Sequence, residues 1–238
     1  MNTSMEQLRY GDTVIEYQLI HRRRKTLAIK VNTDLQVTVI APVGTNYADV
    51  QAVVRRRAPW ILRKQRELER YLPKIPPRQY VSGETHRYLG RQYRLKVIQD
   101  DQERVKLTRG YLHVWASDKA NTRRVQRQVE GWYRRQAQRV FRERMEAMLP
   151  RFARLEIPQP EVKMRKMKSR WGSARKSGRI TLNLKLMQVP KHYIDYVIVH
   201  ELCHLAEHNH SKRYYALLDR MMPDWRERRQ RLNEYQVN

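Results

Sequence analysis

The stretch His200-Glu201-Leu202-Cys203-His204 constrains this chain more than any other. Histidines four residues apart lie one above the other on a helix face, so the pair calls for a helix here. The flanking residues agree. Ile194, Val197 and Ile198, then Leu202 and Leu205, recur at a helical period and give that helix a face for a core. On the other face the two imidazoles can converge on one metal ion. A glutamate directly after the first can polarise a metal-bound water, which is the pattern of a zinc hydrolase helix. Zn2+ is therefore the expected cofactor, with His200 and His204 as ligands. Glu201 is the expected general base, taking a proton from water and handing it to a leaving amine.

Catalytic zinc usually takes three protein ligands and keeps one position open, so a third ligand must come from beyond the helix. His210 is the expected one. It follows Asn209, a residue that tolerates left-handed geometry and commonly ends helices, and a turn there swings His210 back. The alternatives are His208, ~6 Å further along a continuing helix axis, and an acid of the last helix: Asp219, Asp224 or Glu227. Cys203 points away from both histidines on a helix and reads as a small core residue. For a transition-state stabiliser the sequence offers only neighbours of the motif: Arg170, Tyr214 and Tyr215.

Upstream, residues 13–41 alternate as strands, with a hairpin turn at Asn32-Thr33-Asp34. Residues 46–71 switch to a helical period that Pro59 should break or kink, and Pro73, Pro76 and Pro77 mark a break after it. A second β-rich stretch follows, in which Tyr93, Leu95 and Val97, Val105 and Leu107, and Leu112 and Val114 alternate around turns. No internal repeat is firm. Residues 119–149 form a long helix with Val125, Val129, Trp132, Tyr133, Val140, Phe141 and Met148 on one side. Ile180, Leu182, Leu184 and Leu186 then alternate as a half-buried strand whose edge could receive an extended peptide. Before it, Val162, Met164 and Lys166 lead to Lys168-Ser169-Arg170-Trp171-Gly172-Ser173, and Arg175-Lys176-Ser177-Gly178 is a turn signal. The fold class is α+β: a β-rich N-terminal region over 1–118 with a helical insertion at about 46–71, then a catalytic domain over 119–238, with packing of the two as one unit left open.

Charge narrows the partners. Lys and Arg number 50 against 24 Asp and Glu, a formal net charge of +26 that attracts DNA, RNA or other polyanions. A charge-rich surface also serves solubility alone, and the aromatics of 119–149 read as core residues rather than as a nucleic-acid face. The single cysteine excludes an internal disulfide. No apolar run is long enough to span a membrane, and the polar first ten residues do not read as a signal peptide, so the expected location is cytoplasmic. Oligomeric state is not legible.

Several stretches together resemble the YgjP-like family of zinc metallopeptidases, itself related to the SprT-like and WLM metallopeptidases. They are Arg170-Trp171-Gly172-Ser173, Asn183-Leu184, Tyr193-Ile194-Asp195-Tyr196-Val197, the His200–Leu205 motif, Asn209-His210-Ser211 and Met222-Pro223-Asp224-Trp225. The resemblance is dense over 165–230. It extends more loosely to Arg23-Arg24-Lys25-Thr26-Leu27, Val37–Pro42 and Trp60-Ile61. It implies a minimal, gluzincin-like zincin core with His200, His204 and His210 as ligands, Glu201 as catalytic base and a protein or peptide substrate. Ala174 stands where the family often has a cysteine, which leaves the zinc ligands untouched. Set against this is a reading from another class, a basic DNA- or RNA-binding protein with a structural or vestigial zinc site. The two merge if the peptidase acts on nucleic-acid-associated proteins.

Overall fold

In the computed structural model, which describes residues 3–32, 34–69, 77–167 and 170–235, the chain divides into two compact units, Met1–Lys74 and Ile75–Asn238. Thr33, Pro73, Pro76, Lys168 and Ser169 lie outside the described residues, and with them parts of the hairpin turn, of the proline-marked break and of the segment leading to Ser173.

The first unit begins with β1 (Thr3–Tyr10), β2 (Thr13–Arg22), β3 (Ala28–Val31) and β4 (Val37–Pro42), in sheet order β1-β2-β4-β3. β1 and β2 are antiparallel, β2 and β4 parallel, and β3 and β4 antiparallel. Alternation puts Ile15, Tyr17, Leu19, Val37 and Val39 on one face, where helix α1 (Tyr47–Glu69) covers them with Val50, Val54, Ala58 and Ile61. Each large side chain sealed this way contributes about 1.5–3 kcal/mol over its exposed state. The break expected at Pro59 does not occur, because α1 is one helix of 23 residues. Pro59 and Arg55 are both exposed, so water can satisfy the Arg55 carbonyl that the proline leaves without its bond, while the apolar stripe continues beneath.

The second unit opens with β5 (Thr85–Tyr88), β6 (Arg91–Gln99), β7 (Arg104–Thr108) and β8 (Tyr111–Ala116), in order β5-β6-β8-β7, and then α2 (Thr122–Met148). Strand order, strand directions and the following helix repeat those of the first unit. The repeat is one of topology, carried by alternation and turns, and no stretch of shared residues announces it. The expected boundary at 118/119 cuts through this second unit. Leu95, Leu112, Val114 and Ala116 share one core with Val125, Val129 and Trp132 of α2, so the β5–β8 sheet folds with the C-terminal part. Trp132, Tyr133 and Phe141 are buried in that core, as read from the sequence.

A second sheet follows, formed by β9 (Glu161–Arg165), β10 (Gly172–Ala174) and β11 (Arg179–Asn183), in order β10-β11-β9. β11 is thus the central strand, antiparallel to β10 and parallel to β9, with both edges occupied. It cannot receive a peptide as the alternation suggested. It also ends at Asn183, and Leu184–Gln188 forms a 3-10 turn in which the Asn183 side chain accepts the Lys185 N–H at 3.1 Å. Helices α3 (Lys191–Ala206), α4 (Lys212–Met221) and α5 (Trp225–Glu234) complete the unit. α3 is pinned to α2 by Arg144, whose guanidinium donates to both carboxylate oxygens of the buried Asp195 at 2.6 and 2.8 Å.

Candidate metal centre

Helix α3 is apolar nearly all round. Ile194, Val197, Ile198, Val199, Leu202 and Cys203 are buried, which leaves His200 and His204 as the half-buried residues near its end. The helix stops at Ala206 because Glu207 turns extended (φ −127, ψ 99). The reversal is therefore made at Glu207, and Asn209 does not adopt the left-handed geometry expected of it. His208 Nδ1–H donates to the carbonyl of His204 at 2.9 Å, occupying one of the last helical carbonyls. The chain then returns through His210 to Ser211, whose Oγ accepts the Tyr214 N–H at 3.2 Å and starts α4.

This reversal brings His200, His204 and His210 together, with one donor nitrogen from each within 4.8 Å of the others. The Nε2 atoms of His204 and His210 are 3.1 Å apart. Zinc held tetrahedrally at about 2.0–2.1 Å sets its ligand nitrogens ~3.3 Å apart, so the cluster fits such an ion with small adjustments. Hydrogen bonds behind the rings direct their lone pairs. His204 Nδ1–H donates to the Glu207 carbonyl at 3.2 Å, which leaves Nε2 as the free donor atom. The fully buried Tyr214 donates its hydroxyl to the His200 carbonyl at 3.3 Å and lies 2.6 Å from His200 Nδ1. With that hydroxyl hydrogen committed, Nδ1 carries the imidazole hydrogen and Nε2 keeps its lone pair. The Tyr214 ring also stacks on His204, centroids 4.4 Å apart. Burial, and then the neighbouring imidazoles, push His200 down to about 3, and His204 is lowered too, so both are neutral near pH 7 as metal ligands must be.

Glu201 is 4% exposed. Burial pushes its carboxyl up to about 8, against the opposing pull of Arg170 and of a hydrogen bond from the Ala174 backbone. It sits directly on Gly172. A Cβ there would lie 2.5 Å from Glu201 Oε1, so only glycine leaves room for the carboxylate. Asn183 fixes the approach to that glycine. Its Nδ2 donates to the carbonyls of Met167 and Arg170 at 2.9 and 2.8 Å, and its backbone N–H donates to that of Trp171 at 2.8 Å.

The acidic alternatives for the third ligand are engaged elsewhere. Asp219 accepts from Trp225 Nε1 at 2.7 Å and pairs with Arg226, Asp224 pairs with Arg228 at 2.7 Å, and Glu227 pairs with Arg231 at 2.8 Å. Cys203 is buried, its thiol pushed up to about 12 by that burial. Tyr215 stacks on Trp225 and on His210. Two roles were not read from the sequence: that of Tyr214, offered there only as a neighbour of the motif, as the partner of His200, and that of Gly172 as the seat of Glu201. The signal for the second was present in Trp171-Gly172-Ser173.

Comparison with known proteins bears on what such a centre does. No curated protein matches the chain in sequence. Among solved structures, the crystal structure of the metallopeptidase zymogen of Pyrococcus abyssi abylysin aligns at 20% identity with a TM-score of 0.35, covering 39% of this chain and 90% of that one. Residues 25–235, almost the whole chain, match the family model described as YgjP-like, metallopeptidase domain, and the chain belongs to that family.

Proposed function

We propose that the chain is a zinc-dependent peptidase in which His200, His204 and His210 hold the metal and Glu201 is the general base. The observation that carries this reading is the placement of a buried carboxylate one residue along the helix from a three-imidazole cluster. A zinc ion there supplies Lewis acidity towards a water molecule and a scissile carbonyl. Glu201 accepts the water's proton and delivers it to the leaving amine, and its raised basicity near neutral pH suits a group that must do both. Gly172 and the Ala174 backbone hold that carboxylate in place. Tyr214 and the Glu207 carbonyl orient the ligand rings.

β10 is the strand suited to a substrate. It is paired on one side only among the described residues, and it runs past Glu201, so a peptide adding to it in extended form lies beside the base. The expected fold is a minimal zincin, and the charge of +26 favours protein substrates presented on nucleic acid. A purely structural zinc site needs ligands but no base, and the burial of Glu201 argues against that reading. The test is Glu201→Gln. Peptides released from a proteome by the wild type are expected to disappear with the variant while its zinc content is unchanged. An unchanged peptide set would overturn the assignment of Glu201.

A further inference from the structure

The β5–β8 sheet has a second face, turned away from α2. On β8, Leu112, Val114 and Ala116 enter the core, and Tyr111, His113 and Trp115 therefore stand on the opposite side. They form a row. The Tyr111 and His113 rings are 5.7 Å apart, and His113 and Trp115 are stacked with centroids 5.5 Å apart and 25° between planes. Pairing register sets cations on both sides of this row: Arg94 opposite Tyr111, Lys96 and Lys106 opposite His113, and Arg104 opposite Trp115. The Arg104 guanidinium lies 4.3 Å over the Trp115 ring and pairs with Asp100 at the sheet's end. Arg94, Lys96 and Lys106 make no ion pair with a described residue, and residues 91–99 and 104–116 contain no Asp or Glu. Burial and then the charges of Lys96 and Lys106 lower the pKa of His113, which keeps the middle ring of the row neutral.

The first unit serves as an internal control. Its sheet has the same topology, yet its corresponding face carries Glu16, Gln18, Lys30 and Thr38. The aromatic and basic face is therefore no requirement of this architecture.

We propose that the outer face of the β5–β8 sheet binds single-stranded nucleic acid, with bases stacking on Tyr111, His113 and Trp115 and phosphates meeting Arg94, Lys96 and Lys106. The two halves of the surface match the two halves of that ligand. Aromatic faces accept any unpaired base, and unpaired cations beside them follow the backbone. A duplex hides its base faces and leaves the rings unused, and an acidic peptide needs the cations without the row of rings. The inference is independent of the peptidase reading, so the Glu201→Gln protein binds as the wild type does.

Fluorescence anisotropy of the full chain with a labelled oligothymidylate tests it, with the same sequence as a duplex and heparin as comparisons. The double variant Tyr111→Ala/Trp115→Ala is expected to weaken oligothymidylate binding by at least about tenfold while heparin binding is unchanged. Lys96→Gln/Lys106→Gln is expected to reduce the slope of log affinity against log salt by about 1.4. Equal binding of oligothymidylate by the aromatic variant and the wild type, or preference for the duplex, overturns the proposal. Photocrosslinking of wild-type protein to a 5-iodouracil oligonucleotide needs no variant. Adducts at Tyr111, His113 or Trp115 are expected, and adducts confined to other elements overturn it.

Discussion

The Tyr214 hydroxyl lies 2.6 Å from His200 Nδ1 and 3.3 Å from the carbonyl of the same residue, so one buried group both sets the tautomer and fixes the ring of the first histidine in the motif. Burial raises the Tyr214 pKa, which keeps the phenol protonated and able to act in this way throughout the working range. Tyr214→Phe keeps the ring that stacks on His204 and removes only the oxygen. Zinc affinity is expected to fall by about 10–100-fold, measured by competition with a chelator. Unchanged affinity would mean that the His200 ring is held by packing alone.

Under the proposed function, Gly172 is the position that separates metal binding from catalysis. A methyl group at this position would lie 2.5 Å from Glu201 Oε1 and 2.9 Å from its Cγ, so Gly172→Ala must move the carboxylate while the three histidines stay in place. Zinc content is expected to match the wild type, with turnover reduced by about 10²-fold, the cost of a misplacement near 1 Å. Loss of zinc in this variant would show that β10 supports the metal cluster as well as the base.

Acid sensitivity is expected from His86. It is 1% exposed, its ring nitrogens have no hydrogen-bond partner among the described residues, and the Glu84 carboxylate stands 3.8 Å from Nε2; burial followed by the charge of Arg78 pushes it down to about 3 from an ordinary 6.5. Below pH 6.5 the unfolded chain therefore takes up a proton that the folded chain refuses. The contribution of this group is fully present above 6.5 and is lost as pH falls towards 3, by about 1.4 kcal/mol per pH unit. His86→Leu removes that dependence. Denaturant unfolding at pH 7, 6, 5 and 4 is expected to show the variant gaining on the wild type at each step below 6.5, and parallel curves would contradict the burial argument.

Much of the helix that carries His200 and His204 was legible because it rests on local rules. The 3.6 period fixed α3, and four-residue spacing set His200 and His204 on one face. The return of His210 was also readable, though for the wrong backbone reason: Glu207 makes the turn, with Asn209 outside the left-handed region. Other features depend on partners distant in sequence. Nothing local tells Tyr214 from Tyr215, because the distinction lies in which face α4 turns towards His200. The alternation of 180–186 gave a strand but not its neighbours, and its place in the middle of the sheet removed the edge read from it. The helix around Pro59 continued because solvent exposure, invisible in a linear pattern, decides what a missing N–H costs. The topological repeat stayed hidden for a related reason. Alternating strands fix which face is buried and leave the identities on the free face unconstrained, which is where the two sheets differ.

The central claim is that His200, His204 and His210 together hold one zinc ion, and competitive zinc titration of four alanine variants tests it most directly. His200→Ala, His204→Ala and His210→Ala are each expected to lose tight, roughly one-to-one binding. His208→Ala should bind as the wild type does, because His208 is engaged with the His204 carbonyl. Retention of zinc by His210→Ala together with its loss in His208→Ala would contradict the account.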